Sequence, residues 1–91
     1  MYLLVSYDVV LDRRRRRLAK SLAQQLQRVQ YSVFEGPLPE RRLHALREAA
    51  AKHIHPPEDS VRIYTLCARC RESLEILGCG PIIDDPDDVI V

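Results

Sequence analysis

Tyr2-Leu3-Leu4-Val5-Ser6-Tyr7-Asp8-Val9-Val10 opens the chain as a nearly unbroken apolar, β-prone run. A run of this kind, with little polar alternation, predicts a strand covered on both faces and central in its sheet. Asp8, near its C-terminal end, carries the first charged side chain of the sequence. Asp12 follows as an N-cap for a helix over residues 13–28. Within it Leu18, Leu22 and Leu26 recur every four residues, with Ala19 and Ala23 beside them. That spacing makes one apolar stripe.

Beyond this helix the apolar pattern alternates again. Val29, Tyr31 and Val33 fall on one side of a strand, and Gln30, Ser32 and Phe34 on the other. Gly36-Pro37 breaks the run and Pro39-Glu40 opens a second helix. Its inward positions are Leu43, Leu46, Ala50 and Ile54, and Pro56-Pro57 stops it. Residues 60–67 predict a further strand rich in β-branched and aromatic residues. Ser73 to Leu77 read as one more. The order of strands and helices predicts an α+β domain with two helices on one face of a small sheet. The apolar end, Val89-Ile90-Val91, is expected to pair with a sheet edge, its own or a partner's.

The chain has 91 residues, the size of a single domain. So small a domain buries only about 60–65% of its unfolded surface, and oligomerisation is expected from size alone. No apolar run approaches the roughly 18 residues of a membrane span. The first residues lack the basic start of a secretory leader. A cytoplasmic protein is expected, with no membrane partner. Its formal net charge of +1 hides an asymmetry: residues 1–71 hold all 14 Lys and Arg against 7 acids, and residues 72–91 hold 6 acids and no base. Twelve of the bases are Arg, the better residue for bidentate phosphate contacts. A polyanionic partner is implied.

Arg13-Arg14-Arg15-Arg16-Arg17 is poor helix design, because positive charge at a helix N-terminus opposes the macrodipole. Such a run is either a solvated face or a surface that meets an anion. At about 100° per residue, Arg15 falls in the middle of the leucine stripe, Arg16 at its edge, and Arg13, Arg14 and Arg17 towards solvent. An inward Arg15 needs a counter-charge, and Asp8 is the nearest candidate in sequence. Asp8 is thus either a structural carboxylate, capping the helix or pairing Arg15, or a hard-metal ligand. Magnesium is commonly held by one or two carboxylates with waters and substrate phosphates. Two copies of Asp8 across a two-fold axis make a better site than one.

Cys67-Ala-Arg-Cys70 has the spacing of a metal or redox pair, yet no fourth zinc ligand accompanies it and no helix N-terminus is expected there. Free thiols at a strand end are the expected state, with a Cys70–Cys79 disulfide as an alternative. His53 and His55 suit a helix C-terminus. The three glycines, at positions 36, 78 and 80, do not make a phosphate-binding loop.

Ser6-Tyr7-Asp8, Asp12 with the arginine-rich helix start, Arg28-Val29-Gln30-Tyr31-Ser32-Val33-Phe34-Glu35-Gly36, and Asp59-Ser60-Val61-Arg62-Ile63-Tyr64 together resemble the CRISPR-associated protein two family. This is the small adaptation subunit of CRISPR antiviral defence. The resemblance runs from residue 1 to Val91, and residues 28–36 are its most specific piece. It implies a ferredoxin-like βαββαβ homodimer with an extra C-terminal strand, residues 81–91 packing on the partner subunit. Because that fold needs four core strands, it implies that residues 28–38 divide into two pieces near Ser32.

The resemblance also implies metal-dependent endonuclease activity on phosphodiester bonds of RNA or double-stranded DNA. Asp8 matches the magnesium ligand (manganese is the alternative), one from each subunit, with Tyr7 beside it as a second catalytic residue. Arg15 and Arg17 of the first helix, with their neighbours Arg13, Arg14 and Arg16, match its nucleic-acid-binding arginines. The arginine of the second-strand motif matches Arg28, with Phe34 close by, and both are expected to bind nucleic acid. A non-catalytic role accompanies this activity in the family: a scaffold that binds DNA and bridges two dimers of the adaptation integrase, CRISPR-associated protein one. In that role the acidic residues 84–91 dock on the integrase.

Overall fold

In the computed structural model the described residues are 1–78. The chain runs β1 (Tyr2–Asp8), α1 (Asp12–Ala23), β2 (Gln27–Gln30), β3 (Val33–Pro37), a 3₁₀ turn (Glu40–Arg42), α2 (Leu43–Lys52), β4 (Ser60–Leu66) and α3 (Ala68–Glu72). The strands form one antiparallel sheet in the order β2-β3-β1-β4. This is the expected βαββαβ arrangement. The expected tail strand, residues 81–91, lies outside the described residues.

β1 is central, as its apolar run predicts, but it is covered on one face only. Leu3, Val5 and Tyr7 point into the core, whereas Leu4 and Ser6 are half-buried and Asp8 is exposed. An antiparallel sheet tolerates one open face. The register sets what shares each face. Val5 lies between Phe34 and Ile63 on the core side, and Ser6 lies between Val33 and Arg62 on the open side. Leu18 and Leu22 of α1 and Leu46 and Ala50 of α2 close the core. Leu43 and Ile54 pack at its margin.

Several local expectations are corrected. α1 ends at Ala23 because Gln27 must already be extended to pair with Glu35. Leu26 still reaches the core from the intervening turn, where its N–H donates to the Leu22 carbonyl at 2.8 Å. Residues 29–36 are not one strand: Tyr31 and Ser32 turn the chain between β2 and β3, as the family resemblance implies. A register shift between Arg28 and Gln30 marks a bulge in β2. Ser73–Leu77 is not a strand. The chain instead turns into α3, and residues 74–77 have no regular structure.

α3 also changes the setting of the cysteines. Cys67 occupies its N-cap, and its sulfur accepts the Cys70 N–H at 3.5 Å. Both thiols are free and exposed. The Cys70 N–H and then the Cys70 thiol stabilise the Cys67 thiolate, drawing its pKa below the usual thiol range. The alternative Cys70–Cys79 bridge falls outside the described residues. Among those residues no helix is long and apolar enough to cross a membrane.

Candidate metal and nucleic-acid sites

Asp8 ends β1 opposite Ser60 on the open face of the sheet. Strand alternation alone places it with Leu4 and Ser6 rather than with the core. Among the described residues its carboxylate has no hydrogen-bond or ion-pair partner. It borders a shallow hollow of about 540 Å³, which Ser6, Val33, Glu35, Arg62 and Tyr64 also line. Neither structural role expected for this carboxylate is realised. Leu11 takes the N-cap of α1 without a side-chain cap. Asp12 is the counter-charge of Arg15, at 2.8 Å, and also meets Arg16 at 3.3 Å. It is therefore a first-turn acid and not a cap. Arg15 also donates to the Val9 carbonyl at 2.9 Å.

No group of three metal-ligating side chains occurs among the described residues. Of the two described carboxylates that line this hollow, Glu35 accepts from the Tyr2 hydroxyl and Asp8 is left to a hard cation. That donor set suits magnesium as half of a site completed by a second carboxylate, waters and phosphate.

The five arginines do not act as a block. Arg13, Arg16 and Arg17 are exposed. Arg14 departs from its expected solvent orientation. Its Nε donates to Asp59 Oδ2 at 2.8 Å and its Nη2 meets Glu58 at 2.9 Å. The Asp59 side chain is fully buried. It also accepts the N–H groups of Val10 at 2.9 Å and His55 at 2.8 Å. This carboxylate ties the start of α1, the loop after Asp8 and the α2–β4 loop together. Arg14 above all, then the two backbone donors, depresses the Asp59 pKa from 3.8 to about 2.

Tyr7 does not join Asp8. Adjacent strand residues face opposite ways, and the Tyr7 side chain is buried in the core. Its ring stacks near Phe34 at a centroid separation of 6.2 Å, and its hydroxyl donates to the Tyr31 carbonyl at 3.3 Å. Arg28 converges on the same place. Its Nε donates to the Tyr31 carbonyl at 3.0 Å, and its guanidinium lies 5.3 Å from the Tyr31 ring centroid and 5.6 Å from that of Phe34. Phe34 is 1% exposed, so it supports Arg28 from within. The expected site residues thus divide into three groups: Asp8 on the open face, Tyr7, Arg28 and Phe34 at the β2–β3 end of the core face, and Arg13–Arg17 on the first turns of α1.

Two residues of these clusters are missed by the sequence reading. Tyr31 is assigned there to a strand face, although its two-residue turn with Ser32 brings it out to solvent. Asp59 is quoted there only as part of a motif. Its position just after Pro56-Pro57 is a loop signal, but the sequence does not show that Arg14 reaches it.

Comparison with known proteins agrees with this architecture. The family described as CRISPR associated protein Cas2 matches residues 1–74. The chain is 47% identical to CRISPR-associated endoribonuclease Cas2 2 of Synechocystis, across 97% of this chain and 96% of that protein. It is 41% identical to CRISPR-associated endonuclease Cas2 2 of Thermus thermophilus, across 86% and 82%. The crystal structure of Streptococcus pyogenes Cas2 superposes with a TM-score of 0.74 at 32% identity, covering 86% of this chain and 100% of that one. Fold, motif order and full-length similarity agree: the chain belongs to the Cas2 family.

Proposed function

We propose that this chain is a homodimeric, magnesium-dependent endonuclease of CRISPR adaptation that cleaves phosphodiester bonds of single-stranded RNA or double-stranded DNA. The observation that carries the reading is Asp8: an exposed carboxylate, unpartnered among the described residues, at the end of the central strand on a sheet face that the helices leave open. Two such faces packed about a two-fold axis would bury Leu4, Val33 and Tyr64 and bring two Asp8 carboxylates together. The relatives named endoribonuclease and endonuclease support the activity.

The Asp8 pair would hold magnesium, or manganese, which supplies charge neutralisation at the phosphate and a more acidic water. The protein's own groups do the rest. Arg13, Arg16 and Arg17 bind phosphates as exposed cations. Arg14 and Asp59 fix the loop that follows Asp8. Tyr7 acts as a positioning residue through the Tyr31 carbonyl and touches no reacting atom.

Cleavage of single-stranded RNA and double-stranded DNA tests this reading, with wild type and Asp8→Ala each assayed in magnesium, manganese and EDTA. Cutting that requires the metal and disappears in Asp8→Ala is expected. Cutting that survives the substitution would remove Asp8 from the chemistry.

One observation favours a second role. The exposed arginines belong to the α1 layer, whereas Asp8 faces the other side of the sheet. A cationic surface suited to phosphates therefore lies apart from the carboxylate. In this reading the dimer is a scaffold that holds DNA and bridges two dimers of the adaptation integrase, CRISPR-associated protein one. Spacer integration that persists in Asp8→Ala and fails when Arg13, Arg16 and Arg17 are neutralised would select the scaffold.

A further inference from the structure

A cleft of about 310 Å³ lies between α1 and the β2–β3 turn, away from the open face that carries Asp8. Arg15, Arg16 and Lys20 line one wall, and Arg28 and Tyr31 the other. Among the described residues no carboxylate lines it, and Asp12, which pairs with Arg15 and Arg16, lies outside the lining. Between Arg16 and Lys20 the helix presents Ala19, so the wall is cationic at its rim and recessed at its middle. Such a cleft attracts an anion that also carries a flat apolar body.

Tyr31 supplies the surface for that body. The residue is 71% exposed, yet it is held firmly. Its carbonyl accepts from Arg28 through both Nε and Nη2 and from the Tyr7 hydroxyl. The Arg28 guanidinium lies against its ring, and Phe34 supports that guanidinium from the core. An exposed tyrosine in a turn ordinarily has no such scaffolding. Immobilising it lowers the ordering cost of anything that stacks on it. Every nucleobase has a face that stacks on an aromatic ring, and flanking cations track the adjoining phosphates. A paired base inside a duplex presents no such face.

We infer that Tyr31 is a stacking platform for one unpaired nucleobase, whose flanking phosphates are met by Arg16, Lys20 and Arg28. The ligand class is a single strand, or the unpaired end of a duplex. This deepens the nucleic-acid reading above and rests on it. It gives the chain a means of telling single-stranded from fully paired substrate that phosphate contacts alone do not supply.

The test uses the full-length protein in EDTA, so that no cleavage depletes the probes. Single-stranded RNA and DNA oligonucleotides carrying one 2-aminopurine are compared with a fully paired hairpin closed at both ends by non-nucleotide linkers. Affinity is read by anisotropy and stacking by quenching of the 2-aminopurine. Wild type is expected to quench the probe. Tyr31→Ala should abolish the quench and weaken single-strand binding about tenfold. Tyr31→Phe should keep both, since its ring still stacks. Hairpin binding should be unchanged in either variant. The RNA and DNA arms show which sugar the cleft prefers, and stacking of either supports the inference. Single-strand affinity and quenching that survive Tyr31→Ala would overturn it. So would an equal loss on the hairpin, which would mark a general charge or folding effect. If wild type binds none of the probes, the nucleic-acid reading itself fails, and this inference with it.

Discussion

Arg14 Nε and Asp59 Oδ2 stand 2.8 Å apart, joining the first turn of α1 to the residue that precedes β4. The arginine is largely covered and the carboxylate side chain fully so. A buried pair of this kind contributes little when replaced whole, but breaking it leaves a charge without a partner. Asp59 further holds the N–H groups of Val10 and His55. The loop after Asp8 is therefore anchored by a residue roughly fifty positions away in sequence, a separation that follows directly from the residue numbers.

Asp59→Ala should accordingly lower the thermal midpoint by at least about 5 °C, the shift that roughly 1 kcal/mol produces in a domain of this size. Arg14→Gln should also lower it, by less, since the neutral amide still offers a donor. Circular dichroism melts check both. An unchanged midpoint in Asp59→Ala would show that the pair is dispensable to the fold.

The same carboxylate makes stability depend on acid. Its folded pKa of about 2 lies below the ordinary 3.8, so its contribution is present above the unfolded value and is lost as pH falls through the folded one. Asp12, lowered chiefly by Arg15, acts in the same direction. Wild type should lose stability between about pH 4 and pH 2. Asp59→Asn should be less stable at neutral pH and lose less over that interval. Urea denaturation at stepped pH measures both slopes, and parallel slopes would contradict the assignment.

Asp8 predicts the opposite pattern. It is exposed, and its carboxylate makes no hydrogen bond or ion pair among the described residues. Asp8→Asn should leave the melting temperature within about 2 °C of wild type while reducing metal-dependent cleavage at least about a hundredfold. Paired melts and cleavage rates separate these effects. A large drop in stability would assign Asp8 to the fold instead.

The arginines should divide by function. Each phosphate-contacting arginine that is removed should flatten the plot of log affinity against log salt by about 0.7–0.9. Arg13→Gln and Arg17→Gln should do this with little change in stability. Arg14→Gln should leave the slope nearly unaltered. Duplex binding across a salt series distinguishes the two kinds, and a slope change confined to Arg14 would reverse the assignment.

The open sheet face predicts the oligomeric state. Leu4 stands between Glu35 and Tyr64 on that face. Leu4→Asp should introduce an unpaired charge at the centre of the dimer and shift the protein to monomer in sedimentation velocity. Dimers that persist at the same concentration would place the interface elsewhere.

The sequence by itself determined the elements that local chemistry can dictate. An apolar run of β-prone residues made β1 central, leucines four apart made α1, and paired prolines ended the segment after α2. Asp8 was legible as a carboxylate suited to a hard metal, whereas Arg28 and Phe34 were marked only by the resemblance to the family. Local patterning could not divide β2 from β3, since Tyr31 and Ser32 continue the alternation and the turn is fixed by pairing with β1. Nor could it foresee that Ala68–Glu72 would form α3, capped by Cys67, or that Ser73–Leu77 would not continue as a strand. Tertiary structure alone decided which charges are free. Helical angles sent Arg14 to solvent, but the buried Asp59 carboxylate, brought in from a distant loop, claims it. Strand alternation, combined with the side on which the helices pack, turned Tyr7 inward and Asp8 outward. The same packing left Tyr31 exposed at the cleft beside α1 and braced by Arg28.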